Sequence, residues 1–190
     1  VAITGFFGGL ASSTAVVGSM LDHVRQRSSV TEYAVAAVLL ADAAMAARNL
    51  AIVLFFTLTS GVPVLIAAAA PLGALVLASV GAAALTADWD AELDIELESP
   101  FSLRNALTFG GVFAIILVGS AFAQARFGTA GLFVSAAVSG LVSSAGATTS
   151  ATLLYIGGAV AGGPAVIAVL LASASSIAVK AGLTMSGPRQ

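Results

Sequence analysis

The sequence predicts an all-α polytopic membrane protein with about six transmembrane helices, an internal two-fold repeat and one short acidic strand-like loop. Three observations carry this reading. First, 59% of the 190 residues are hydrophobic and only 8% are charged, against about 25% charged in a soluble domain. Seven basic and nine acidic side chains are too few to cover the apolar surface of a soluble fold of this size. Second, apolar stretches of about 20 residues, the length a helix needs to cross a bilayer, recur along the chain. Third, two blocks of sequence repeat at one constant offset.

The first apolar segment runs from about residue 3 to 21 and ends at the charged connection "DHVRQRSS". The second runs from about 33 to 57, and "TSGVP" then marks a tight turn. The third, about 64 to 86, is Ala-rich, with Pro71 expected as a kink. The fourth is about 103 to 125, and "ARFGTAG" joins it to the fifth, about 132 to 156. "GGAVAGGP" leads to the sixth, about 165 to 185. Arg25 and Arg27 lie between segments one and two, and Arg104 falls on the same side by parity. The positive-inside rule then places the "DHVRQRS" loop in the cytoplasm of a multi-pass cell-membrane protein.

The polar loop, about 87 to 102, contains "DWDAELDIELE". Six of the nine acids, Asp88 to Glu98, alternate there with Trp89, Ala91, Leu93, Ile95 and Leu97. Period two means an extended strand with an acidic and an apolar face. Its carboxylates would stand about 7 Å apart, a ladder rather than oxygens converging on one ion. A solvated strand resting its apolar side on headgroups is the plainer reading.

Shifting the chain by 131 residues aligns Gly9, Leu10, Ser12 and Ser13 with Gly140, Leu141, Ser143 and Ser144, and Ser19 with Ser150. The same shift puts "AVAAVLLADA" (Ala34 to Ala43) on "AVIAVLLASA" (Ala165 to Ala174), identical at eight of ten positions. Repeat units of about 3–57 and 134–186 follow, within one transmembrane domain of residues 1–190. Direction stays open: the copies are parallel if every segment spans and inverted if one does not. Matching interruptions rich in Gly and Ser in two repeats point to a binding site near the bilayer midplane. "GGLASST" (Gly8 to Thr14) and "SGLVSSAGATTS" (Ser139 to Ser150) are such interruptions, or else close helix crossings made possible by small residues.

The hydroxyls of Ser12, Ser13, Thr14, Ser143, Ser144, Thr148 and Thr149 would line such a substrate site. Asp42, Arg48 and Asn49 in segment two, with Lys180 in segment six, would set its polarity. Charges at this depth cost about 2.5–3.5 kcal/mol each and usually face a cavity or a partner. For Lys180 the alternative is snorkelling to the nearby helix end. One acid and two bases favour an anion or a zwitterion over a bare divalent cation. Tyr155 and Glu32 read as interface anchors, and His23 as a solvated loop residue.

With no Cys, disulfides, thiolate metal sites and thiol redox chemistry are excluded. There is no HExxH, nucleophile elbow or phosphate loop, and the glycine-rich pieces lack the strand-then-helix setting of a dinucleotide fold. No enzyme activity, cofactor or metal is expected, and the absence of a basic surface argues against nucleic acid. The expected partners are the lipid bilayer and either further copies of the chain or another membrane protein. One Lys against six Arg, with abundant Ala, Val and Thr, resembles the composition of salt-adapted proteins.

The stretches "GGLASSTAV" (Gly8 to Val16), "ARNLAIVL" (Ala47 to Leu54), "SPFSLRNALTFGGVFA" (Ser99 to Ala114) and "VKAGL" (Val179 to Leu183) carry a resemblance over nearly the whole chain. They resemble the C-terminal uncharacterised membrane domain of MgtC/SapB-type proteins. The resemblance implies a preceding MgtC-like membrane domain, in keeping with Val at position 1, and a link to magnesium-related physiology and transport. Arg48 and Lys180 match that family's pattern. Where it carries aspartates and an asparagine, this chain has Ser143, Ala145 and Ser176, so the resemblance does not extend to a carboxylate cation site. The leading expectation is transport, or regulation of transport, of a small ion or solute at the repeat interface. The alternative is a non-transporting subunit that packs against a membrane partner and stabilises it.

Overall fold

The computed structural model describes residues 3–26, 31–61, 63–86 and 103–185. After a π-helical turn, Ile3–Phe7, come α1 (Gly8–Gln26) and α2 (Thr31–Ser60). A 3-10 stretch, Pro63–Ala68, leads into α3 (Ala69–Thr86), followed by α4 (Leu103–Val142), α5 (Ser144–Ile156) and α6 (Gly162–Met185). No strand occurs among the described residues, and the alternating acidic stretch lies outside them.

Four helices among the described residues are long and apolar enough to cross a membrane, against the six segments expected. The physical reason is local. Ser12 inside α1 has φ −157° and ψ 103°, which is extended backbone, so the first segment is two short helical pieces rather than one span. Ser143 interrupts the fifth segment with φ −153° and ψ 102°. The piece beyond it, α5, has 13 residues and is about 20 Å long, short of the roughly 30 Å hydrocarbon core. By contrast α2 runs 30 residues without Gly or Pro and reaches about 45 Å. It stops at Gly61, whose φ of +64° is open to glycine at little cost.

Two further sequence expectations change in detail. Pro71 lies inside the candidate span Leu65–Thr86, next to a change of helix type. It sits in the first turn of α3, where its missing N–H costs nothing, and the adjustment is the 3-10 stretch before it. His23 is helical rather than in a loop: α1 continues to Gln26, and His23 Nδ1 donates to the Ser19 carbonyl at 2.7 Å. Asp22 and Arg25 pair at 3.3 Å on the exposed side of the same turn.

Close contacts divide the chain into two compact units, one from the described residues of 1–47, 74–98 and 177–190, the other from those of 48–73 and 99–176. In the first, α1 folds back at Ser12 to make a helical hairpin against the start of α2. The arm before the break packs small against small. A Cβ on Gly5 would lie 2.7 Å from the Ala37 carbonyl oxygen, and one on Gly9 would lie 2.4 Å from Ala41 Cα. Partner numbers rise together, from 5 with 37 to 9 with 41, so this arm runs parallel to α2. After the break, Val16 and Met20 bury against Tyr33, Ala34, Ala37 and Ala41. The second arm is therefore antiparallel to α2 and shares its Ala37–Ala41 stripe.

In the second unit α4 bends sharply at Gly128, whose φ of +59° and ψ of −143° suit only glycine. A Cβ on Gly131 would sit 2.0 Å from the Ala123 carbonyl oxygen, so the arms 103–127 and 129–142 double back on each other. They enclose a groove of about 500 Å³ between Ile116, Gly119 and Ala123 on one arm and Val134, Val138 and Val142 on the other. Beyond Ser143 the chain reverses again. Leu132, Ala136 and Ala151 share one buried cluster with Ala165, Ala168 and Val169. A straight helix would hold residues 132 and 151 about 28 Å apart. Gly140 abuts α6, with a Cβ there 2.5 Å from the Ala172 carbonyl oxygen.

Candidate functional site

Each helix break exposes backbone groups that the sequence then satisfies with serine. Ser12 Oγ accepts the Ala15 amide at 3.2 Å, and Ser143 Oγ accepts the Gly146 amide at 3.2 Å. Both are N-caps of the arm that follows, three residues ahead of the bonded amide. The glycine before each break (Gly9, Gly140) lets the preceding arm touch its neighbouring helix closely enough to hold the bend in place.

In the first unit the break supports a buried charged cluster. Lys180 on α6 is 1% exposed. Its Nζ donates to Asp42 on α2, to Ser13 Oγ at 3.2 Å and to Met45 Sδ at 3.2 Å. Ser13 is the first residue of the arm after the break and is itself buried. The ammonium thus sits at a helix N-terminus, where the backbone dipole is already positive, and Asp42 supplies the compensating charge. The Asp42 side chain keeps 14% of its surface exposed against 2% for Lys180, so the cluster is open on the carboxylate side.

In the second unit the cluster is neutral. Asn49, fully buried on α2, donates from Nδ2 to Ser173 Oγ on α6 at 3.0 Å, and Ser173 donates on to the Val169 carbonyl. Ser144 Oγ, Thr148 Oγ1, Ser150 Oγ and Asn49 Oδ1 are buried and make no hydrogen bond. Three of these unmet oxygens, on Ser144, Thr148 and Ser150, lie within two turns of the Ser143 break, an unusual concentration, since most buried polar atoms are paired.

Of the residues expected from sequence, Ser13, Asp42 and Lys180 come together, and Lys180 does so instead of snorkelling. Ser12 and Ser143 cap, while Ser144, Thr148 and Asn49 are buried in the second unit. Thr14, Thr149 and Arg48 are half-buried. Sequence reasoning missed Ser173, Met45 and Ser150. Ser173 was within reach, because the 131-residue shift places it on Asp42. Tyr155, expected as an interface anchor, packs half-buried against the apolar cluster of the second unit.

No group of three or more His, Asp or Glu that could hold a metal ion occurs among the described residues. What the arrangement offers is a buried ammonium and carboxylate beside a hydroxyl in one unit, and uncharged oxygen acceptors in the other.

The family model for a domain of unknown function, DUF4010, matches residues 1–187. The chain belongs to the DUF4010 family. No curated protein and no solved structure matches it. The DUF4010 match carries no link to the MgtC/SapB-type proteins that the sequence resembles.

Proposed function

We propose that this DUF4010 chain is a multi-pass protein of the cell membrane that transports, or regulates the transport of, a small ion or solute at its broken helices. The observation that carries the reading is the pair of serine breaks. Ser12 and Ser143 share their backbone angles to within 4° in φ and 1° in ψ, and they are 131 residues apart. In hydrocarbon a backbone interruption is tolerated only where protein or a cavity satisfies it, and matching interruptions in two repeats mark binding sites in transporters.

The internal repeat is part of the same proposal. Close contacts repeat under the shift: Gly9 with Ala41 corresponds to Gly140 with Ala172. The polar pairs repeat with partners exchanged, since Asp42 with Lys180 corresponds to Ser173 with Asn49. Within the second unit Asn49 bonds Ser173 and Val53 shares a buried cluster with Val169, so the numbers rise on α2 as they fall on α6, the order of antiparallel helices. Equivalent helices running in opposite directions make the repeat an inverted one. That outcome requires a segment that does not span, and each serine-tipped hairpin is such a segment.

The test is solute flux. Full-length chain reconstituted in liposomes, with a panel of labelled inorganic ions and small organic solutes, is compared with Asp42→Asn. At least one solute should enter faster than into empty liposomes, and the substitution should slow it by about 10-fold or more. Equal and negligible flux for every solute would remove the transport reading and leave the stabilising-subunit alternative.

A further inference from the structure

We propose that the Asp42–Lys180–Ser13 cluster is a binding site for a small zwitterion, with the ligand's carboxylate on Lys180 and its ammonium on Asp42. This rests on the transport reading only for the purpose of the site, since the geometry concerns binding. Charge sets the class of ligand. The cluster holds one acid and one base in a low-dielectric setting, where an uncompensated charge is costly. A lone anion bound to Lys180 would leave Asp42 unpaired, and a lone cation on Asp42 would strand Lys180. A ligand carrying both charges replaces the ion pair with two and leaves nothing unmatched. Arg48 is six residues beyond Asp42, turned about 120° around α2 from it, and belongs to the other compact unit.

Hydrogen bonding points the same way. One of the Lys180 donors is spent on the Met45 thioether, a weak acceptor. A ligand carboxylate oxygen would be a far better one, with the helix N-terminus at Ser13 behind it. The asymmetry of exposure gives the route: Asp42 is the more open partner, so the ligand's cationic end meets a carboxylate first. The counterpart in the second unit, Asn49 with Ser173, lacks both charges and so cannot bind in this way.

The test is ligand stabilisation of the full chain in dodecyl maltoside micelles, read as a shift in Tm. Glycine, β-alanine and 4-aminobutyrate serve as zwitterion probes of increasing charge separation. Acetate and methylammonium, at the same concentrations, are the single-charge controls. At least one zwitterion should raise Tm, and neither control should. The double variant Asp42→Asn/Lys180→Met, which removes both charges together and so avoids a stranded one, should fold and show binding at least about 100-fold weaker. An equal shift with acetate or methylammonium, a shift retained in the double variant, or no shift with any zwitterion would each overturn the proposal. Flux of an inorganic ion that stops in Asp42→Asn, without zwitterion binding, would sink this inference and leave the transport reading standing. Zwitterion binding without flux would do the reverse.

Discussion

Replacing Gly9 by Ala tests whether the first hairpin is held by backbone contact. The added Cβ would meet Ala41 Cα at 2.4 Å and the Ala41 carbonyl oxygen at 2.9 Å. Neither atom is a side chain that can swing aside, and ordinary contact starts near 3.4 Å. The arm must therefore lift off α2 by about 1 Å, enough to forfeit a quarter to a half of each dispersion contact along the crossing. Overpacking of this kind costs about 1–3 kcal/mol, and we place Gly9→Ala at about 2–3 kcal/mol because backbone meets backbone. Gly140→Ala, with 2.5 Å to the Ala172 carbonyl oxygen, should lose a similar amount. Gly18→Ala and Gly119→Ala are the internal controls: nothing lies within 4 Å of either added Cβ, and helix propensity predicts a gain of about 0.5–1 kcal/mol. The assay is reversible unfolding in mixed micelles, followed by circular dichroism against the mole fraction of dodecyl sulfate. Wild-type stability in Gly9→Ala and Gly140→Ala, or equal losses in the controls, would refute the close-crossing account of both hairpins.

Three further outcomes are expected. Asp42→Asn or Lys180→Met alone should each cost about 3–5 kcal/mol by stranding a buried charge, whereas the double variant should lie near wild type, and the double-mutant cycle measures the difference. Ser12→Ala and Ser143→Ala should each lose about 1 kcal/mol through the missing cap, with Ser→Gly at either site losing less than Ala, in the same unfolding assay. Gly128→Ala should cost about 1–3 kcal/mol although no atom crowds it, because φ +59° with ψ −143° is open to glycine alone; wild-type stability there would mean that the bend in α4 relaxes freely.

Much of this protein was legible in its residues. Composition alone determined the class, because hydrophobic content and charge density are sums that need no contacts to interpret. Runs such as 31–60, free of Gly and Pro, determined long helices for the same reason. The 131-residue offset picked out Ser12 and Ser143 before any geometry, since it sets "GLASS" (Gly9 to Ser13) on "GLVSS" (Gly140 to Ser144). Whether those serines bend the chain or merely help helices pack was decided only in three dimensions. Serine is compatible with a continuous helix, and its extended backbone is chosen by what Gly9 and Gly140 touch on either side. The break at Gly128, by contrast, falls within "ARFGTAG", which the sequence already marks as a connection; only the close approach of Gly131 to Ala123 needed the structure.

The charged cluster divides along the same line. Hydropathy marked Asp42, Arg48 and Lys180 as costly in a membrane, which any one of them is regardless of its neighbours. Only the tertiary structure chose Asp42 as the partner of Lys180 and joined Ser13 and Met45 to them. Asp42 and Lys180 are separated by 138 residues, and no local preference acts over such a span. The selection belongs to the tertiary fold, which sets Asp42 on α2 beside Lys180 on α6.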